Sequence, residues 1–188
     1  MKMTLWSDDA IVRKHAEEDL VDFILEARKH GWPAVDKDEK QPQRPGFKER
    51  VYRDVSRLWE YRDSYTGFFN APGQEIVRFD DNPIWSMSYN GGMLPGYQHD
   101  VSFAKKTFEF LKEALLRADQ KNPFRGPERH TDFKHFGGYY LYENKSDGDI
   151  RDFVGTEIIG FGNTGKMSQA PTVFRQHYMG GLIVHKVA

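Results

Sequence analysis

The chain has 188 residues, a net charge of −1 at neutral pH and no cysteine. That length suits one domain with a sizeable core; the balanced charge excludes the basic excess that nucleic-acid binding draws on. The missing thiols exclude disulfides, thiolate metal sites and cysteine nucleophiles. No apolar run reaches the ~20 residues that span a bilayer. The N-terminal segment also turns acidic at Asp8-Asp9 before a signal-peptide core could form. The expectation is a cytoplasmic protein without membrane contact, with a core built from rings more than aliphatics, since aromatics make up 14% of the chain.

Asp8 or Asp9 caps a predicted helix over 10–30, where Ile11, Val12, Ala16, Leu20, Phe23, Ile24 and Ala27 form one apolar stripe. Gly31 and Pro33 end it in the usual order. Residues 33–50, with Asp36-Lys37-Asp38-Glu39-Lys40 and three prolines, read as a solvated linker or mobile loop. Strands follow at about 51–65, 74–80 and 83–89, the last two joined as a hairpin through Asp81-Asn82. Gly91-Gly92 and Pro95-Gly96 break the chain before a second helix over about 101–118, capped by Asp100 or Ser102. Phe103, Thr107, Phe108, Leu111, Ala114 and Leu115 form its buried stripe.

Pro123-Phe124-Arg125-Gly126-Pro127 is a rigid loop presenting one arginine, and strands at 138–144, 152–161 and 172–187 complete the chain. No internal repeat stands out. Separated helices with grouped strands point to a single α+β domain over 1–188. Its predicted form is an antiparallel sheet of about six strands with two main helices packed on one face.

The stretch most telling for function is Leu58-Trp59-Glu60-Tyr61-Arg62-Asp63-Ser64-Tyr65. On a strand, Trp59, Tyr61, Asp63 and Tyr65 share one face and Leu58, Glu60, Arg62 and Ser64 the other. Charge therefore sits beside aromatic surface on either side, which favours a lined pocket or a buried ion pair. Trp85, Met87 and Tyr89 share a face on a later strand, as do Tyr140 and Tyr142. Helices can cover only one face of the sheet, so the other needs a ligand, a homodimer partner or a flap such as 33–50.

Arg125, held by two prolines and a glycine, either contacts a ligand's carboxylate or phosphate or pins its loop to Glu60, Asp63 or Glu75. Glu157 interrupts an otherwise apolar strand, so it needs a partner such as Arg62 or Arg125. Such an acid serves as a general base or as half of a structural pair. Gly160-Phe161-Gly162-Asn163-Thr164-Gly165-Lys166 matches much of a P-loop, but Met167 replaces the magnesium-binding hydroxyl and no helix pattern follows. A glycine-rich turn explains it better. His130 and His135 lie in a loop at a spacing that suits neither a helical nor a strand metal pair. Neither metal nor cofactor is implied.

Several segments in order resemble a bacterial domain family of uncharacterised function, whose members stand alone or follow a helix-turn-helix module. They are 59–65, Gly73-Gln74-Glu75-Ile76-Val77, Pro83-Ile84-Trp85-Ser86-Met87-Ser88-Tyr89 and Phe110-Leu111-Lys112-Glu113-Ala114-Leu115. The pattern continues in 123–127, Phe153-Val154-Gly155-Thr156-Glu157-Ile158 and Tyr178-Met179-Gly180-Gly181-Leu182-Ile183. The resemblance implies no activity. One N-terminal helix is not the three of a helix-turn-helix module, so no direct nucleic-acid contact is expected.

The expectation is thus a small-molecule-binding or sensor-like domain. Its pocket has an aromatic wall of Trp59, Tyr61, Trp85, Tyr89 and Tyr142, with Arg62, Asp63, Glu75, Arg125 and Glu157 as polar anchors. The alternatives are a metal-independent enzyme with Glu157 or Asp63 as base and Arg125 stabilising an anion, or a homo-oligomeric interaction module.

Overall fold

The computed structural model describes residues 5–30, 40, 42–56, 58–133, 138–162 and 170–185. Among these lie two α-helices and one eight-stranded antiparallel sheet. In chain order they are α1 (Ala10–His30), β1 (Lys48–Arg53), β2 (Trp59–Tyr65), β3 (Gly73–Phe79), β4 (Asn82–Met93), α2 (Val101–Leu115), β5 (Arg129–Asp132), β6 (Tyr139–Asp149), β7 (Asp152–Gly162) and β8 (Thr172–Leu182). Asp9 accepts hydrogen bonds from the amides of Ile11 and Val12 at the start of α1. Asp100 accepts from Phe103 at 2.9 Å and caps α2. The residues read as ending α1, Gly31 and Pro33, lie outside the described residues.

The sheet has eight strands where about six were expected, for two reasons. The stretch read as one strand over 51–65 is a hairpin, β1–β2, folded at Asp54, whose carboxylate accepts from the Trp59 amide at 3.2 Å. Its first strand reaches back to Lys48, into the stretch read as a loop, because Glu49 finds partners across the ladder in Arg62 (2.6 Å) and Ser64 (2.9 Å). The second reason is β5, four polar residues paired with β6 at the sheet edge. So short a polar run carries no alternation to read. The predicted β3–β4 hairpin forms, but its turn is Asp80-Asp81 rather than Asp81-Asn82: Asn82 already pairs with Phe79, and Asp80 and Asp81 both take positive φ, the backbone that a tight turn between right-twisted strands requires.

Strand order is β1-β2-β3-β4-β8-β7-β6-β5. Two four-stranded meanders therefore meet at β4 and β8, and each follows a helix. Both helices lie against one face. α1 packs Phe23 on Trp59, with ring centroids 4.9 Å apart, and α2 packs Phe110 on Tyr140 at 5.1 Å. Cross-strand register places the residues under both helices on the same side. One row runs Tyr61, Val77, Trp85 and Leu182, and another runs Met93, Phe174, Ile159 and Tyr142.

The two helix-and-meander units also share residues. Phe23-Ile24 and Glu26-Ala27 of α1 answer to Phe110-Leu111 and Glu113-Ala114 of α2, with the aromatic, aliphatic and alanine positions buried in both. Gly73-x-Glu75 of β3 answers to Gly155-x-Glu157 of β7, and Tyr89-x-Gly91-Gly92 of β4 to Tyr178-x-Gly180-Gly181 of β8. The registers agree: Gly73 pairs with Tyr89 as Gly155 pairs with Tyr178, and the two tyrosines pair with each other where the units meet. In each unit the glycine lets the tyrosine ring lie across its strand. A Cβ on Gly155 would stand 2.1 Å from Tyr178 Cζ, and that ring is buried and hydrogen-bonded to Asn144. Gly155→Ala is expected to cost about 1–3 kcal/mol, read from the midpoint of urea unfolding; an unchanged midpoint would show that the ring is free to move.

Candidate functional site

Between the two hydrophobic clusters under α1 and α2, the helix-facing side of the sheet carries charge. Asp63 and Glu75 are direct neighbours across β2 and β3, and Asn144 and Glu157 are their counterparts across β6 and β7. Two arginines stand over these acids. Arg28, in the last turn of α1, meets Glu75 at 3.2 Å and donates to the carbonyls of Phe124 and Arg125. Its guanidinium thereby fixes the 123–127 loop that brings in the second arginine.

Arg125 donates from Nε (3.0 Å) and Nη2 (2.6 Å) to Glu157 and from Nη1 (3.4 Å) to Glu75. Burial opposes its charge, but Glu157 and Glu75 outweigh that and hold it protonated. Glu157 is fully buried and accepts a third bond, from the Tyr142 hydroxyl at 2.7 Å. Burial and then the Glu157 charge push the Tyr142 phenol well above its ordinary range, so it stays a donor. Asp63 behaves differently. Burial, then repulsion from Glu75, raise its carboxyl to about 7 despite the opposing effects of Tyr89, Arg125 and Arg50. The Tyr89 hydroxyl donates to it at 2.7 Å.

Asp63 and Arg125 open onto a cavity of about 400 Å³ between α2 and the sheet, a size that suits a small ligand. Phe68, Phe108 and Phe174 make its apolar wall, and Lys48, Arg50, Lys105 and Lys112 place cations around it against the carboxylates of Asp63 and Glu109. Gln176, from β8, also lines it and is only 4% exposed. Its Nε2 is buried with no hydrogen-bond partner among the described residues. Trp85 Nε1 and His130 Nε2, which also have no partner among the described residues, are not at this cavity. The arrangement can hold an oxygen-bearing group between amide and guanidinium donors while rings take up an apolar body.

Of the residues singled out from the sequence, Asp63, Tyr89 and Arg125 line this cavity. Glu75, Tyr142 and Glu157 stand next to Arg125 and hold it in place. Trp59, Tyr61 and Trp85 lie in the cluster under α1. Trp85 stacks on Phe153 at 5.8 Å, and the Tyr61 phenol, buried and beside Glu75, is pushed well above its ordinary range. Arg62 is on the opposite face, paired with Glu49. Sequence reasoning missed Arg50, which lay in the supposed loop, and Gln176. A polar residue alternating with Phe174 and Tyr178 on β8 was the available signal for the latter.

His130 stacks on Phe110 at 5.4 Å, and His135 lies outside the described residues. Among the described residues no three His, Cys, Asp or Glu side chains converge on a metal position, and no helix is long and apolar enough to cross a membrane. Gly160–Gly162 end β7, and the remainder of the P-loop-like stretch is outside the described residues.

A family model described only as a domain of unknown function matches residues 63–183, from the middle of β2 past the end of β8. No curated protein matches the chain, and no solved structure does.

Proposed function

The chain belongs to DUF5680, a family of domains of unknown function, and from that starting point we propose that it is a small-molecule-binding domain, a receptor or sensor whose ligand sits in the cavity beside α2. The observation that carries this reading is the Gln176 amide, buried at the cavity with no partner for its donor among the described residues. Leaving a buried donor unpaired costs about 1–3 kcal/mol, a cost that a bound acceptor would remove. Affinity would come from ring burial against Phe108 and Phe174, and orientation from the polar floor.

A second reading, an enzyme, is favoured by one feature. Asp63 titrates near 7 beside the Tyr89 hydroxyl in a ligand-sized cavity, which is where a general acid–base group works best at neutral pH. Glu157 does not suit that task, being closed in by Arg125 and Tyr142. A third reading, a homo-oligomeric module, draws on Val154 and Met179, exposed neighbours on the helix-free face. Native mass spectrometry of the protein as purified from cells, at several concentrations, separates the three. A monomer with a reproducible extra mass is the expected result. A bare dimer would move the assignment to the third reading, and a bare monomer that turns over an added metabolite mixture would move it to the second.

A further inference from the structure

The pseudo-equivalence of the two helix-and-meander units says what kind of ligand the cavity takes. Tyr61 and Asp63 on β2 hold the positions of Tyr142 and Asn144 on β6, judged by their shared register to Val77 and Glu75 on one side and to Ile159 and Glu157 on the other. Tyr89 donates to Asp63 at 2.7 Å as Tyr178 donates to Asn144 at 2.7 Å.

In the second unit the space beside α1 is filled by the chain itself. Phe124 stacks on Phe153 at 3.8 Å within the cluster under α1. The following peptide is held at both ends, Asn144 donating to the Gly126 carbonyl at 2.9 Å and the Gly126 amide donating to Tyr142 at 2.9 Å. Gln120 ties the same loop to Asp22 on α1. In the first unit the matching ground, beside α2, is the cavity.

Three differences between the units define the occupant. Asn144, an amide, is replaced by Asp63. Met87, two residues before Tyr89, is replaced by Gln176, two residues before Tyr178, which adds the buried amide donor that has no partner among the described residues. The α2 positions at the cavity bring Lys105 and Lys112 with Glu109 between them, and β1 adds Lys48 and Arg50, so cations outnumber the one carboxylate that α2 brings there.

Resting on the reading that the cavity is a ligand site, we propose that its ligand is a flat aromatic anion, the ring seated as Phe124 is seated in the second unit and the acid group received by Gln176 and the surrounding cations. Asp63 does not oppose an anion below neutrality. Flanked by Arg50, Glu75, Tyr89 and Arg125, it holds its proton up to about 7 and meets the acid group as a donor.

The test is calorimetric titration of the full chain at pH 6 with three probes sharing one ring system: 2-naphthoate, 2-naphthamide and 2-naphthylmethylamine. The proposal expects naphthoate to bind about tenfold or more tighter than the amide, one charge-assisted hydrogen bond's worth, and the amine not to bind. Gln176→Leu should weaken naphthoate and the amide alike, since both offer its Nε2 an oxygen acceptor, and leave the preference that the cations supply. Lys105→Glu, at an exposed position that leaves the core untouched, should weaken naphthoate while sparing the amide. Equal binding of all three probes, or preference for the amine, overturns the anionic assignment and leaves the ligand site standing. Binding of none, alongside a reproducible mass on the purified protein, overturns the aromatic anion alone. Binding of none on a bare protein overturns both.

Discussion

Replacing Arg125 with alanine is expected to cost about 3–5 kcal/mol of folding stability, the range for removing one partner of a buried ion pair. The magnitude follows from what remains. Glu157 and Glu75 are almost wholly buried, and Arg125 supplies Glu157 with two of its hydrogen bonds. Without it, one carboxylate keeps only Tyr142 and the other keeps Arg28 and the Tyr61 phenol. Urea unfolding measures the loss. The Arg125→Ala, Glu157→Gln double variant should recover part of it, because a neutral amide is far cheaper to bury than an unpaired charge. Arg151→Ala is the comparison, since the Arg151–Glu17 pair lies at the surface with the arginine 46% exposed and should cost less than about 1 kcal/mol. A loss for Arg125→Ala no larger than that of Arg151→Ala would show that Arg125 does not neutralise the buried acids.

The second large effect is on the pH dependence of stability. Asp63 titrates at about 7 in the folded protein and at about 3.9 in an unfolded chain. Between those values the native state holds a proton that the unfolded state has released. Stability from this group is therefore complete below pH ~4 and declines as pH rises towards 7, by about 1.4 kcal/mol per unit. Asp63→Asn keeps an acceptor for Tyr89 but cannot titrate. The stability advantage of the parent chain over the variant should thus shrink steadily from pH 5 to pH 7 and be constant above pH 8. Denaturation midpoints at pH 5, 6, 7 and 8 decide it, and parallel profiles for the two proteins would show that Asp63 does not carry the raised titration.

Much of the architecture was legible from local pattern. The stripe from Ala16 to Ala27 can face only one way on a helix, and Asp100 before Val101 has the side chain to accept the first free amides, so both helices emerged with their starting caps. Strand face was legible too. Period-two alternation alone places Asp63 with Tyr61, and Tyr89 with Trp85 and Met87. Glu157 in an apolar strand requires a partner, Arg125 on its rigid loop is one that the sequence offers, and the pair exists at 2.6 Å.

What local pattern could not decide was which faces are covered and by what. Trp59, Tyr61 and Trp85 looked like a binding wall, but α1 lies over them, and helix placement depends on contacts between residues far apart in sequence. Arg62 shares a strand with Asp63, yet points to the other side of the sheet and serves Glu49. Lys48–Arg50 read as loop because their charges hide a strand that only cross-strand partners make stable. The duplication is hidden in the sequence because each block of matching residues is short and the segments between them differ in length. Only pairing of β4 with β8 brings Tyr89 beside Tyr178 and aligns the two units. The cavity is likewise a tertiary product. Its floor comes from β1, β2, β4 and β8 and the loop carrying Arg125, and its roof from α2. The amino-acid sequence by itself determined both helices, most of the strands with their faces, and the need to neutralise the buried acids, because these follow from spacing and from the cost of burying charge. Tertiary structure alone decided where the two units leave a gap, because a gap exists only between surfaces that the chain brings together from distant segments.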